Sequence, residues 1–146
     1  MTTPDTTRDL SPALSPAARR FLDAPRFAVV ATLNPDGAVL QAAIWYRVEG
    51  DTIVFNSRVG RQWPRNLERD PRVSFIVVDG EDYVELRGLV EIDPDPETGQ
   101  AVIADLARRY QPDEKLAEAD VASFLGHHRV TFRLRPSRVF ERLSGD

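Results

Sequence analysis

Cysteine is absent from the 146-residue chain, which excludes a disulfide framework, a thiolate metal site and a cysteine nucleophile. Histidine is almost absent: His127 and His128 are the only two. Adjacent imidazoles match neither the i, i+4 spacing of a helical metal pair nor any carboxylate motif nearby, so they read as an exposed turn beside Gly126 and no metal is expected. There is no Gly-x-Ser-x-Gly elbow, no phosphate-binding P-loop and no Gly-x-Gly-x-x-Gly. The acidic residues are scattered through turns and helices as solvated charges, which leaves the catalytic group unknown. No apolar run nears the ~20 residues of a membrane span, and the N-terminus lacks the basic-then-apolar pattern of a secretory signal. A cytoplasmic protein without membrane partners is the expectation. Lysine is nearly missing too: Lys115 stands alone among 19 basic residues, a compositional bias with little functional weight.

What remains is the composition of one globular domain, 42% hydrophobic and 29% charged, long enough for a core. Its charge is uneven. Between Asn56 and Arg72 lie Arg58, Arg61, Arg65, Arg69 and Arg72 against Glu68 and Asp70, a local +3 in a chain of net −4. The rest therefore carries −7, from 14 basic and 21 acidic residues. A basic segment in an acidic protein points to a local anion site and away from a general nucleic-acid surface. The segment follows an apolar strand pattern, Thr52 to Asn56, and Pro64 suits the first turn of a short helix. The N–H groups of Arg65 and Asn66 would then face outward at a positive helix end, a phosphate cradle. An arginine-rich surface helix is the equal alternative.

Elsewhere, residues 1–14 read as a flexible arm and 15–146 as a single domain. A helix capped by Ser15 ends at Ala24-Pro25. Strands are expected from Phe27 to Leu33, from Ala38 to Val48 as one return strand, from Thr52 to Asn56, from Val73 to Val78, and from Tyr83 to Ile92. Asn34-Pro-Asp-Gly37 is a turn signal. Helices follow near residues 96–110 and 116–125, with Asp95 capping the first. Two short strands around Pro136 close the chain. Six or seven antiparallel strands with a few helices make a mainly β fold, a small barrel with helical decoration.

Tyr46 and Phe55 read as core aromatics. Trp63, at the helix entrance, would either cover a cofactor ring or anchor the helix. Gln41 would either meet a ligand or face water from an edge. With an anion-binding turn and no self-contained catalytic group, these residues point to a borrowed cofactor.

Residues 28–37 (AVVATLNPDG), Ile44-Trp-Tyr46, residues 60–74 (GRQWPRNLERDPRVS) and Tyr83-Val-Glu-Leu-Arg-Gly88, in that order, resemble the pyridoxamine 5′-phosphate oxidase-like split β-barrel superfamily. Within it they are most similar to the flavin/deazaflavin oxidoreductases of the B group, which use coenzyme F420. The resemblance spans about residues 16–142. It implies a split barrel like that of FMN-binding proteins and a homodimer with cofactor sites at the subunit interface. It further implies phosphate contacts from Ser57, Arg61 and Arg65, with Arg58, Gln62 and Asn66 beside them and Trp63 at the entrance. Gln41, Ala43 and Trp45 would form the wall for the flavin-like ring. Several relatives carry lysine where this chain has Trp63, which hands the charge pairing to the arginines. The implied reaction is hydride transfer from the reduced deazaflavin to an electron-poor small molecule such as an enone, quinone or conjugated tetrapyrrole. The alternatives are an FMN-dependent oxidoreductase on the same fold and a non-catalytic cofactor- or haem-binding protein. The substrate motif of a pyridoxamine phosphate oxidase proper is not recognisable after Phe140.

Overall fold

The computed structural model describes residues 13–144. In chain order its elements are α1 (Pro16–Asp23), β1 (Ala28–Leu33), β2 (Val39–Ile44), β3 (Arg47–Glu49), β4 (Thr52–Arg58), α2 (Gln62–Arg69), β5 (Arg72–Asp79), β6 (Asp82–Asp93), α3 (Pro96–Tyr110), α4 (Glu114–Phe124) and β7 (Arg129–Arg142). The strands form one antiparallel sheet in the order β2-β1-β5-β6-β7-β4-β3. Its inner face encloses Val30, Phe55, Phe75, Leu86, Phe132 and Leu134, the barrel core. A smaller cluster, Val54 with Val102, Ile103 and Leu106, seats α3 on the back of β4. Among the described residues no helix is long and apolar enough to cross a membrane.

The caps follow their chemistry. Ser15 Oγ accepts from the Ala18 N–H at 3.0 Å, and Asp95 accepts from the Thr98 N–H at 3.1 Å, each satisfying a donor the helix leaves unpaired. The expected arm lies mostly outside the described residues. Leu14, assigned to it, is buried in the core with its N–H on Asp51 Oδ1 at 3.1 Å.

Two strand expectations change. The return strand from Ala38 to Val48 breaks at Trp45–Tyr46, and its halves β2 and β3 lie at opposite edges of the sheet. Tyr46 leaves the ladder: its N–H bonds to Tyr110 Oη at 3.2 Å and its hydroxyl donates to Leu22 O at 2.8 Å. The chain thus crosses the open side of the barrel with its aromatic side chain as an anchor. The two short strands around Pro136 are one strand, β7. Pro136 pairs opposite Gly88, where the β6–β7 register shifts, and a bulge tolerates a residue with no N–H to give.

Gly99 sets how closely α3 approaches β7. A Cβ there would stand 2.8 Å from Arg129 O and 3.0 Å from Arg129 Cβ, so α3 would have to move outward. Gly99→Ala is expected to cost about 1–3 kcal/mol, the range for overpacking. Urea unfolding reads this directly; an unshifted midpoint would mean the contact is slack.

Candidate functional site

β4 and β7 run antiparallel with Phe55 opposite Phe132, Asn56 opposite Thr131, Ser57 opposite Val130 and Arg58 opposite Arg129. Side chains alternate along a strand. Phe55 and Phe132 face the barrel core, so Asn56, Arg58, Thr131 and Arg129 share the other face, toward α3 and α4. Two arginines directly opposite on neighbouring strands repel each other. Arg61, the residue capping the start of α2, adds a third charge to the same place.

Arg61 and Arg129 line a cavity of about 220 Å³ together with Ala43, Trp45, Asn56 and Trp63, with Phe27, Ile44, Ile103, Leu106 and Phe124 as apolar wall, and Arg58 stands opposite Arg129 on β4. Trp45 stacks on Tyr110 at 5.2 Å and 8°, and Phe124 stands edge-on to it. The cavity lies between the break after β2, the end of β4 and the start of α2, which is the split of the barrel. Its lining holds no carboxylate, imidazole, hydroxyl or ammonium group.

Arg129 is the deepest of the charges, at 7% exposure. One guanidinium nitrogen donates to Asn56 Oδ1 at 3.3 Å, the group lies 4.8 Å over the Phe124 ring, and its Nε–H has no partner. Burial, with the charges of Arg61 and Arg58, pulls its pKa down to about 10. Among the described residues neither Arg58, Arg61 nor Arg129 has an ion-pair partner within 4.0 Å. The other arginines of the segment are occupied or remote. Arg72 pairs with Asp70 at 2.7 Å, Arg69 donates to Leu33 O, and Arg65 is exposed on α2.

These residues sit in a known setting. The sequence matches the family model described as pyridoxamine 5′-phosphate oxidase over residues 14–142. The chain belongs to the pyridoxamine 5′-phosphate oxidase family. Among solved structures it is similar to an F420 reductase, with 34% identity, TM-score 0.68, and coverage of 84% of this chain and 94% of that one. It is also similar to a conserved hypothetical protein from Mycobacterium tuberculosis, with 28% identity, TM-score 0.74, and coverage of 90% and 86%. A protein of unknown function from Agrobacterium tumefaciens shares the fold at 24% identity and TM-score 0.66, covering 100% of this chain and 60% of that one. Among curated proteins none matches. The split β-barrel of the family is the fold described above.

Of the residues singled out in the sequence, Ala43, Trp45, Arg61 and Trp63 line the cavity, and Arg58 stands beside it. Trp63 is chiefly an anchor, buried against Phe55 and Phe132 at 5.9 and 5.7 Å. The others fall elsewhere. Gln41 is exposed on the edge strand β2. Ser57 shares the Phe55 side of β4, and its hydroxyl donates to Arg58 O at 3.1 Å. The free N–H groups of the first turn belong to Gln62 and Trp63, because the Arg65 N–H is already spent on Arg61 O at 3.3 Å. Asn66 is fully buried; its amide donates to Thr32 Oγ1 and Asn34 Oδ1 and accepts from Gln62 Nε2 at 2.8 Å. It ties α2 to the end of β1. Arg129, Asn56 and Phe124 were not found from the sequence: an arginine opening a strand carries no signal until its neighbour strand is known.

His127, expected in an exposed turn, is half-buried. Its Nδ1 is enclosed without a partner. Burial first, then the charges of Arg58, Arg129 and Arg61, lower its pKa from 6.5. A lowered histidine is neutral when folded while the unfolded chain takes up the proton, so its contribution to stability is present above about 6.5 and declines as pH falls below that value. An NMR titration should place the His127 midpoint below 6.5, and Arg58→Gln should move it upward. A midpoint that ignores Arg58→Gln would show that this charge does not reach it.

Proposed function

We propose that the protein is a coenzyme F420-dependent reductase that passes a hydride to an electron-poor small molecule, and that it works as a homodimer. The observation that carries this reading is the meeting of unpaired arginines and an aromatic wall in the barrel split, within a chain that is 34% identical to an F420 reductase. The residues suit the group. Arg61 is assigned to the phosphate end and Arg65 to charge further out along α2. Ala43 and Trp45 are assigned to the ring. When bound, the deazaflavin supplies the hydride. The chain itself supplies charge to hold the phosphate, apolar side chains that exclude water, and a flat indole fixed by its stack on Tyr110.

One copy offers too little space. A cavity of about 220 Å³ is below the ~300–1,000 Å³ of usual ligand pockets, so the remainder of the cofactor would rest against a second copy. The outer face of β1, β2, β5 and β6 suits that role. Val39 and Leu89 are 64% and 58% exposed there, and a groove of about 460 Å³ runs among Leu33, Val39, Leu89 and Arg87. Contiguous apolar exposure of this kind marks interaction surfaces. Gln41 lies on the same face of β2, between Val39 of the groove and Ala43 of the cavity wall. FMN is the second reading, favoured by the compactness of a cavity with one cluster of cations.

Paired titrations with F420 and FMN decide between the cofactors. Tight binding of F420 with turnover of an activated alkene is expected; FMN binding alone would move the protein to the flavin branch, and binding without turnover would leave a carrier. Arg61→Ala should weaken cofactor binding by ~1.5–3 kcal/mol, the range for hydrogen bonds to charged groups, and unchanged calorimetric affinity would remove Arg61 from the site. Light scattering should find a dimer, and Leu89→Arg should yield monomers. A monomeric wild type would end the interface proposal.

A further inference from the structure

His127 belongs to no motif, yet it stands where the charge of the split is least compensated. Arg58 faces Arg129 across the β4–β7 ladder, and the pairing runs one step beyond the strands, since the Val59 N–H donates to His128 O at 2.9 Å. That register brings His127 level with Gly60, the residue before Arg61. The turn is pinned to both α3 and α4. The His127 N–H donates to Phe124 O at 3.1 Å, and its carbonyl accepts from Gln100 Nε2 at 2.7 Å. The imidazole lies 6.2 Å from the Phe124 ring, with Nδ1 enclosed and without a partner.

The groups around it are one-sided. β4 contributes Arg58, the start of α2 contributes Arg61 and β7 contributes Arg129, and no carboxylate is among the charges that act on the ring. α3 and α4 present the neutral Gln100 and Phe124, and the adjacent His128 is exposed. Burial and the three arginines already hold the His127 pKa below 6.5. A proton on Nδ1 would add a fourth positive charge and, at an enclosed atom, a donor with no acceptor. An anion drawn to the arginines changes both conditions: it offsets their repulsion and brings acceptor oxygens.

We propose that His127 is a proton-linked sensor of anion occupancy at the barrel split: a bound anion favours the imidazolium, so binding takes up a proton and tightens as pH falls. The coupling is reciprocal. The midpoint with anion bound lies above the midpoint without it. Affinity therefore rises as pH drops through the interval between the two and is level on either side. Each pH unit of separation corresponds to about tenfold in affinity. This linkage rests on the proposed function for the identity of the anion, but not for the coupling itself.

The test follows both histidines of the full chain by NMR from about pH 5 to 8. Sulfate is the first probe, against chloride at equal ionic strength, because its own charge does not change over that range; F420 is the second. Both are expected to raise the His127 midpoint, and the rise should persist in His128→Gln. Sulfate should also protect wild type against melting more strongly at the acid end. In His127→Gln that protection should lose its pH dependence, while His128→Gln keeps it. The wild-type titration reads the linkage even if replacement of His127 disturbs folding. A midpoint that ignores both anions would overturn the proposal, as would sulfate protection that keeps its pH dependence in His127→Gln. A midpoint raised by sulfate in a protein that binds no F420 would leave the linkage standing and sink the cofactor reading. F420 binding that leaves the midpoint unmoved would sink the linkage alone.

Discussion

The side-chain amide of Asn56 joins three elements at one point. It donates to Gly99 O on α3 at 3.0 Å and accepts from Arg129 of β7 at 3.3 Å, and its own backbone belongs to β4. A neutral amide suits this position because it can donate to one side and accept from the other. A carboxylate would have no proton for the Gly99 carbonyl, and an apolar residue would leave both groups unsatisfied in a dry place. Because α3 sits on this junction, the apolar wall from Ile103 and Leu106 is brought over the end of β4. The cavity exists because the helix is held there. Asn66 does the corresponding work on the other side of the split, where its buried amide fixes α2 to the turn after β1.

The distribution of charge follows from how the remaining arginines are used. Arg19 pairs with Asp51 at 2.6 Å, Arg108 with Glu118 at 2.8 Å, and Arg26 with Asp79 at 3.1 Å. Such exposed pairs contribute little stability, but they neutralise the periphery. The cluster at the split is left without local compensation in a chain whose net charge is −4. Its field is therefore concentrated where water is partly excluded, and there a cation interacts more strongly with an arriving anion than it would on an open surface.

The fold was legible wherever periodicity and turn chemistry agreed. The run from Ala28 to Leu33, the Asn34–Gly37 turn and the capped helices after Ser15 and Asp95 all carry local signals that the tertiary structure respects. The break at Trp45–Tyr46 does not. The residues from Val39 to Glu49 have no proline or glycine before Gly50, and the interruption arises because Tyr46 finds better partners in Leu22 and Tyr110 than a ladder could give. Pro136 misled in the opposite sense: it marks a bulge that depends on Gly88 across the sheet. The arginine segment pointed to an anion site, but which arginines stand at the cavity was not written locally. Arg69 and Arg72 are absorbed by backbone and carboxylate, while Arg129 joins from 57 residues beyond Arg72 because β7 pairs with β4.

The chemistry available to this site is narrowed by what surrounds the cavity. Its polar lining is two arginines and an asparagine, groups that bind and orient but do not exchange protons near neutrality. The nearest phenols are no better placed. Burial raises Tyr46 above its usual range, and its proton is held on Leu22 O. Burial also raises Tyr110, whose hydroxyl donates to Arg26 O at 2.7 Å. A reaction needing a general acid from this lining would find none. A hydride donor bound beside Trp45 asks less of the chain, because the protein then contributes electrostatic positioning and the product can take its proton from water. Arginines placed to attract an anion would also stabilise negative charge developing on an acceptor nearby, since their field is fixed before the reaction begins. Binding and catalysis would thus draw on one preorganised set of charges, and the polar network behind it keeps that set from relaxing.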